Sequence, residues 1–275
     1  MRSITADLHA LGVRPGGVLL MHSSYSSVGF VPGGPQAVVQ AVLDALGPDG
    51  TLVVPTHTSD NSDPAGWSRP PVPDDWWAQI RAEAPGFDPA RTPASQYMGV
   101  LPETVRTWPG ARRSGHPQVS FAAVGPRAAE ITAPHPVDVP HGPDSPPGRV
   151  HALGGQILLL GVGHDANTTV HLGELLAGAR YRRPAHSTVL RDGRPVRVEY
   201  GENDCCCERF ALVDGWLDAD GKQRRGTVGH ADARLARARD VVAAVVARLR
   251  ENETTFLHPF GVDAECDEAR ASVPA

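Results

Sequence analysis

The chain has 275 residues, of which 41% are hydrophobic and 21% charged, so it is long enough to bury a substantial core. A net charge of −5 argues against a nucleic-acid partner and suits a cationic ligand. The N-terminal residues lack the apolar core of a signal peptide, and no segment is long enough to span a membrane. We therefore predict a cytoplasmic protein that has no membrane partner.

Three short apolar runs predict strands that are buried on both faces, at residues 18–21, 51–55 and 157–160. Amphipathic helical patterns alternate with them, for example the helix that begins at Gly33-Gly34-Pro35 and ends at Gly47. This alternation predicts an α/β fold, with a layered core in which helices flank a mainly parallel central sheet.

The pattern changes at two places along the chain. Residues 63–92 form an excursion rich in proline and tryptophan, which is more typical of an ordered surface loop than of a disordered linker. Beyond residue 183 we predict a smaller C-terminal subdomain, so that 1–183 is the α/β core and 184–275 the subdomain. Residues 231–249 predict an amphipathic helix that can return to the core, and 256–258 predict a last short strand.

Residues 154–174 combine a buried strand, a glycine-rich turn and a helix that carries His171 and Glu174 three residues apart. That spacing places both side chains on one helix face, and open α/β sheets bind ligands at the strand ends. A neutral imidazole held by a carboxylate is a competent general base, with Glu208 as the most plausible further acid. Two alternatives stay open: ordinary surface residues, or a serine hydrolase that uses Ser23 or Ser24, although no Gly-x-Ser-x-Gly motif is present.

The four cysteines are too clustered for a secreted disulfide framework. Together with one histidine they offer soft ligands for a structural zinc ion, the candidates being Cys205, Cys206, Cys207, His258 and Cys266. Adjacent cysteines do not match the usual C-x-x-C knuckle. Free buried cysteines are therefore the alternative.

Several motifs together resemble the aminoglycoside 3-N-acetyltransferase family. They are LLLGVGHDANTTVHLGE at 158–174, GVLLMHSS at 17–24, GTLVVP at 50–55 and RSGHP at 113–117. The segments at 202–212 (ENDCCCERFAL) and 256–259 (FLHP) resemble the type IV branch, which acts on apramycin and gentamicin-like drugs. The resemblance implies a non-GNAT α/β acetyltransferase that uses acetyl-CoA to acetylate the 3-amino group of 2-deoxystreptamine, and so confers antibiotic resistance.

The resemblance also implies roles for individual residues. It places the catalytic histidine at His171, with Glu208 and Glu174 as its acidic partners. It places the acetyl-CoA contacts at Ser23, Ser24, Val28, Arg113, Ser114 and His116. Two departures from the family pattern are Gly173, where alanine is more usual, and a longer 63–89 excursion, which leaves the drug preference open.

A mechanism follows from chemical need. The drug ammonium must lose a proton to a base, and donors near Ser23 and Ser24 could stabilise the negative charge on the thioester oxygen. With no cysteine in the core motif, direct transfer is favoured over an acyl-enzyme. A polycationic drug calls for an acidic rim, for which the candidates are Asp60, Asp63, Asp165, Glu202 and Glu208.

Two other functions remain possible at this stage. One is an acetyltransferase of the same fold that acts on another amine, biosynthetic or nucleotide-linked. The other is a non-catalytic, zinc-stabilised protein that binds CoA or a drug. The protein is predicted to be a monomer or a homodimer.

Overall fold

The computed structural model describes residues 3–67, 70–181, 183–202 and 206–273. Its strands are Val18–Ser23 (β1), Thr51–Pro55 (β2), Arg112–Arg113 (β3), Phe121–Val124 (β4), Gln156–Leu160 (β5), Arg183–Arg191 (β6), Arg194–Glu202 (β7), Gln223–Val228 (β8) and Ala231–Arg237 (β9). Its α-helices are Ile4–Leu11 (α1), Gly34–Leu46 (α2), Trp77–Glu83 (α3), Val100–Arg106 (α4), Ala128–Ile131 (α5), Pro146–Ala152 (α6), Thr169–Ala177 (α7), Leu212–Ala219 (α8), Ala238–Glu251 (α9) and Ala264–Ser272 (α10).

One central sheet of seven strands has the order β3-β4-β2-β1-β5-β9-β8. Its middle strands, β2, β1 and β5, are parallel, as their unbroken apolar sequences predict. The outer pairs, on both sides of this centre, are antiparallel. The α/β class is confirmed, but the sheet is mixed rather than mainly parallel, because long excursions separate its central strands from the outer strands, which return in the opposite direction.

Helices cover both faces of this sheet. On one face Leu19, Leu52 and Leu158 pack with residues of α1, α2 and α4. On the other face Leu20, Val53 and Ile157 pack with residues of α5 to α9. Successive side chains of a strand point to opposite faces, so a strand covered on both sides must be apolar throughout. This explains why the three central strands could be identified from their apolar runs.

The pattern of residues 231–249 predicts a single helix, but the structure divides this segment into a strand and a helix. Residues Ala231–Arg237 form β9, which pairs with β5, and only from Ala238 onward is the chain helical. Ala231, Ala233 and Leu235 are buried on alternate positions, so the segment has the period of a strand. Residues 256–258 form part of a turn-rich connection between α9 and α10 rather than the expected strand.

The hairpin of β6 and β7 forms a separate two-stranded sheet. Asp192 and Gly193 connect its strands, both at positive φ, as a two-residue hairpin turn requires. The hairpin lies against the 63–92 excursion, where the Phe87 N–H donates to the Thr188 carbonyl at 2.8 Å. Residues beyond 183 build both this hairpin and two strands of the central sheet. The subdomain boundary near residue 183 stays a prediction.

Helix α7 packs closely on α9, and Gly173 is the residue that permits this contact. A Cβ atom at position 173 would lie 2.5 Å from Cγ1 of Val245. An alanine there would therefore force the two helices apart. Among the described residues, no helix is both long and apolar enough to cross a membrane.

Candidate active site

The carboxyl ends of the parallel strands meet at one edge of the sheet, where the structure contains a cavity of about 430 Å³. Its wall includes the last residues of β1 and β2, Ser23 and Pro55, and Val162 from the turn after β5. This is the edge at which open α/β sheets hold their ligands. The local sequence thus places three chain segments around one space.

The turn after β5 depends on Gly161. Its φ is +68°, and a Cβ atom there would lie 1.7 Å from Oγ of Ser27. Residues with a side chain disfavour this positive φ, and the position leaves no room for a Cβ atom. Both facts require glycine. The glycine allows the chain to leave the sheet and begin α7 beside the cavity.

Helix α7 begins beside Asn167, whose side-chain Oδ1 accepts a hydrogen bond from the Thr169 N–H at 3.0 Å. The Asn167 amide donates to Nδ1 of His164 at 3.0 Å, and Nε2 of His164 donates to Gln223 at 2.8 Å. These bonds fix the start of the helix. His171 therefore lies in the first turn of a helix whose start is held in place by these hydrogen bonds.

His171 and Glu174 contact each other directly in the protein interior. Nδ1 of His171 lies 2.8 Å from Oε2 of Glu174, and both residues are at most 4% exposed. The Tyr181 hydroxyl donates to the other carboxylate oxygen, Oε1, at 2.5 Å. A carboxylate at Nδ1 holds the ring proton on that nitrogen. Nε2 then presents its lone pair to the cavity and can accept a proton.

Three further side chains surround the His171 ring. His141 stacks on it with ring centroids 4.6 Å apart, and Phe210 packs edge-on at 4.8 Å. Sγ of Cys207 lies 3.5 Å from Nε2. All three line the cavity. They restrict the imidazole to one orientation, which a positioned base needs.

The predicted acetyl-CoA contacts at the end of β1 differ in position. Ser23 lines the cavity, and its buried hydroxyl has no hydrogen-bond partner among the described residues. Ser24 is half-buried, and its hydroxyl lies 3.2 Å from that of Ser26. Val28 is buried in the hydrophobic core rather than in the cavity wall. Of these three, the structure places only Ser23 at the cavity.

Arg113, Ser114 and His116 line neither large cavity near His171, but serve as internal supports. The Arg113 guanidinium donates to Thr56 and Ser120, and burial lowers its pKa to about 10. Ser114 bonds His135 at 3.0 Å, and Nδ1 of His116 accepts from two backbone N–H groups. These contacts explain the RSGHP motif through folding, because each polar group is satisfied within the protein.

The four acidic rim candidates whose side chains the structure describes do not form one cluster. Asp165 is exposed and lines the cavity with His171. Asp63 lines a neighbouring cavity of about 580 Å³, where its contacts with Arg81 and Arg197 hold its pKa well below the usual range. Asp60 accepts a hydrogen bond from Ser95. The side chain of Glu202 lies outside the described residues.

The structure does not bring Glu208 to His171. Its carboxylate is 84% exposed and lies 3.7 Å from Nε2 of His258. The helical turn at 208–211 buries Phe210 instead, so Phe210 is the member of this motif that packs on His171. The acid that orients His171 is therefore Glu174, the nearer of the two predicted partners.

Cys206, His258 and Cys266 lie together, with their ligand atoms within 4.8 Å of one another. Nδ1 of His258 is 3.5 Å from Sγ of Cys206 and 3.6 Å from that of Cys266. Cys207 faces away from this group, toward His171, so it is not placed among the candidate ligands. Cys205 lies outside the described residues.

The two large cavities share His57 and Tyr97 in their walls. Neither residue was singled out in the sequence, and neither was Tyr181. His141 occurs in a proline-rich loop where nothing marks it as a neighbour of His171. Tyr181 follows Glu174 by only seven residues but lies beyond the end of α7, and His141 is 30 residues from His171, so no helical spacing signals these contacts.

Five buried histidines give the fold a pH dependence. Burial lowers the pKa of each: His22, His116, His135, His141 and His164. The pKa falls to about 4 for His135 and to about 3 for His22. Below about pH 6.5 the unfolded chain takes up protons that the folded chain does not. The free energy of unfolding therefore decreases as the pH falls from there toward the folded-state values.

We expect the melting temperature to decline from about pH 6.5 toward pH 4, with each such histidine contributing up to about 1.4 kcal/mol per pH unit. Thermal melts across this range measure the effect. His135→Gln should reduce the slope, because it removes one of the five buried rings whose pKa is lowered. A melting temperature that stays constant down to pH 5 would contradict the assignment.

A histidine–carboxylate pair beside a cavity at the strand ends of an α/β sheet is the arrangement that enzymes use to remove a proton from a nucleophile. The family model described as aminoglycoside 3-N-acetyltransferase matches residues 20–250. The chain is 48% identical to aminoglycoside N(3)-acetyltransferase IV of Salmonella sp. over 257 residues, which cover 93% of this chain and 89% of the relative.

Solved structures agree. Apo aminoglycoside acetyltransferase AAC(3)-IVa matches with a TM-score of 0.86 at 47% identity, covering 98% of this chain and 96% of that one. The same enzyme, as a histidine-to-alanine variant, has been solved with a gentamicin and with apramycin. AAC-IIIb in its binary complex with CoASH matches with a TM-score of 0.78 at 31% identity, covering 90% and 95%. The chain belongs to the aminoglycoside 3-N-acetyltransferase family and is an acyltransferase.

Proposed function

We propose that this protein transfers the acetyl group of acetyl-CoA to the 3-amino group of the 2-deoxystreptamine ring of aminoglycoside antibiotics, by direct attack of the amine. The observation that carries the proposal is the buried His171–Glu174 pair, whose Nε2 faces the cavity at the strand ends. Its relatives' names and the CoASH and drug complexes among them support the same reaction. Its use of acetyl-CoA agrees with the predicted cytoplasmic location.

In this mechanism His171 removes a proton from the substrate ammonium through Nε2. Glu174 stabilises the imidazolium that forms, because its carboxylate lies 2.8 Å from Nδ1 in a buried setting. Tyr181 holds Glu174 from the other side, so the pair keeps its geometry as charge moves. The free amine then attacks the thioester carbonyl, the bond from the carbonyl carbon to the CoA sulfur breaks, and the proton that the new amide nitrogen loses goes to the leaving CoA thiolate.

The thioester oxygen gains negative charge during attack. The Ser23 hydroxyl lines the cavity and has no hydrogen-bond partner in the described structure, so it is available to donate to that oxygen. Ser23 is thus the member of the Ser23-Ser24 pair that the geometry favours for this role. The two adjoining cavities, of about 430 and 580 Å³, offer space for two substrates on either side of His57 and Tyr97.

Drug recognition would rest on acidic groups at the cavity. Asp165 is the best placed of the candidates, since it is exposed in the wall that also contains His171. Asp63 already pairs with two arginines and offers less uncompensated charge. The similarity to the type IV enzyme favours apramycin and gentamicin as substrates.

The test is release of free CoA thiol from acetyl-CoA over a panel of amines. We expect release with apramycin and gentamicin and none with simple amines or nucleotide-linked amino compounds. Release with a different amine class alone would favour the same-fold acetyltransferase of another pathway. No release with any amine, despite drug or CoA binding, would favour the non-catalytic alternative. Gel filtration in the same experiment decides between monomer and homodimer.

We further propose that Cys206, His258 and Cys266 hold a structural zinc ion. Two thiolates and an imidazole are ligands that zinc prefers, and a fourth would come from Cys205 or from solvent. Glu208 beside the other nitrogen of His258 fits the carboxylate that commonly orients a metal-bound histidine. Because Cys266 belongs to α10 and Cys206 precedes α8, the ion would cross-link the tail to the rest of the fold.

Removing this ion should lower stability and spare the chemistry, because a metal that cross-links segments contributes to folding free energy. We expect a chelator to lower the melting temperature while freshly chelated, still-folded protein keeps its transferase activity. Elemental analysis of protein purified without an affinity tag should find about one zinc per chain. Substoichiometric metal, with all four thiols freely titratable in the native state, would mean that these cysteines hold no metal ion.

A further inference from the structure

Two neighbouring cysteines, Cys206 and Cys207, face different surroundings in this fold. Cys206 faces His258 and Cys266, whereas Cys207 faces the cavity, with its Sγ 3.5 Å from Nε2 of His171. Cys207 is half-buried and lines the cavity. Its thiol therefore shares a space with the nitrogen that faces the substrate.

Cys207, His171 and Glu174 form a connected series. The thiol contacts Nε2, while Nδ1 on the far side of the same ring contacts the carboxylate at 2.8 Å. A nucleophile, a base and an acid that orients the base, in that order, make up the arrangement of cysteine acyl-transfer enzymes. The sulfur-to-nitrogen distance lies within hydrogen-bond reach for a thiol.

The same cavity contains groups that an acyl transfer to sulfur requires. The Ser23 hydroxyl has no hydrogen-bond partner in the described part of the chain, so it can donate to a carbonyl oxygen. His141 is 7% exposed, stacks on His171, and its Nε2 has no partner among the described residues, so it can hold a water molecule. These two side chains are polar sites in the wall from which the thiol approaches.

We propose that Cys207 accepts the acetyl group of acetyl-CoA when no amine is bound, which makes the protein a slow, amine-independent acetyl-CoA hydrolase. The proposal rests on the proposed function, because that function delivers the thioester carbonyl to the vicinity of Nε2. A carbonyl close enough for an amine deprotonated by His171 is also close to Sγ of Cys207. The adjacent thiol is then the strongest available nucleophile in the absence of the drug.

The step balances as an exchange of thioesters. The bond from Cys207 Sγ to the acetyl carbon forms as the thiol proton passes to Nε2 of His171. The bond from that carbon to the CoA sulfur then breaks, and the same proton goes to the leaving CoA thiolate. Water later attacks the S-acetyl cysteine, with His171 accepting its proton and returning it to the cysteine sulfur. The products are acetate, CoA and the original thiol.

The experiment incubates the full chain with acetyl-CoA and no amine, and follows two readouts. Peptide mass spectrometry looks for an acetyl group on Cys207 that hydroxylamine removes, and a thiol reagent follows CoA release. We expect steady amine-independent CoA release in the native protein, together with an adduct on Cys207. Cys207→Ala should abolish the adduct and lower amine-independent release about tenfold or more, and His171→Ala should lower both by roughly 10²-fold.

Two results would overturn the proposal. One is the absence of both adduct and amine-independent release in the native protein. The other is an adduct on Cys207 that forms equally fast in His171→Ala, since it would reflect unassisted chemistry. A parallel reaction of the native protein with apramycin separates the two claims. Drug-dependent release without any reaction at Cys207 refutes only this inference, whereas no release under either condition refutes the proposed function as well.

Discussion

Replacing His171 with alanine should lower kcat for drug acetylation by about 10²–10⁴-fold, while the KM for acetyl-CoA changes little. The physical reason is that the ammonium substrate keeps its proton unless a positioned base removes it. The rest of the cavity wall, with Ser23 at the end of β1, is unchanged by this substitution, so we expect thioester binding to persist. Steady-state kinetics with apramycin as the varied amine measure the effect.

The pH profile distinguishes a lost base from a damaged fold. In His171→Ala the residual rate should increase steadily with pH, since solvent must deprotonate the amine. A small exogenous base such as imidazole should restore part of the rate, because truncation leaves space beside His141 and Phe210. A variant that keeps near-normal turnover at neutral pH would remove His171 from the proposed role.

Replacing Glu174 with glutamine should lower kcat by about 10²-fold or more, because the carboxylate both directs the Nδ1 proton and stabilises the imidazolium. An uncharged amide at the same site can do neither reliably. Glu174 and His171 are both buried, so solvent cannot replace the missing negative charge. The measurement is kcat together with a melting temperature, which establishes that the variant is folded.

Tyr181→Phe is the matched control for this change. It removes the hydrogen bond to Oε1 of Glu174 but keeps the carboxylate and the aromatic ring. We expect the free energy of unfolding to decrease by about 1 kcal/mol. We expect kcat to decrease much less than it does in Glu174→Gln. An equal fall in both variants would show that Glu174 acts mainly through its contact with Tyr181. That result would contradict the role of its charge.

The sequence predicts the parallel centre of the sheet because three strands there are covered on both faces. It also predicts the His171–Glu174 pair, because a spacing of three residues in a helix determines that contact without tertiary information. The resemblance identified the family from motifs spread along most of the chain. These features share one property, namely that local sequence determines them.

Other features escaped prediction for physical reasons. The buried positions of β9 are mostly small alanines between arginines, a composition that favours a helix when pairing partners are unknown. The pairing of β6 with β7 was not predicted, although Asp192-Gly193 is typical of a two-residue hairpin turn. The contact of Cys207 with His171 depends on how distant segments pack, and that of Tyr181 with Glu174 depends on how the chain turns after α7 ends.

The opposite case is a motif whose sequence is informative but whose role the structure changes. It contains Arg113, Ser114 and His116. Their motif resembles a family signature, and the resemblance implied a ligand role, yet the structure gives each of them internal partners. Glu208 shows the same difference, since its exposed carboxylate lies beside His258 rather than His171. A motif establishes which residues a family uses. Whether a residue supports the fold or contacts the substrate is decided by burial and partners.

The most direct test of the central claim is the position of the acetyl group on the drug. Purified protein, acetyl-CoA and apramycin would be allowed to react to completion, and the product would be analysed by two-dimensional NMR. The proposed reaction predicts a single new amide, at the 3-amino group of the 2-deoxystreptamine ring, formed in the native protein and absent with His171→Ala. An acetyl group on another amine, or the same amide formed at an undiminished rate by that variant, would contradict it.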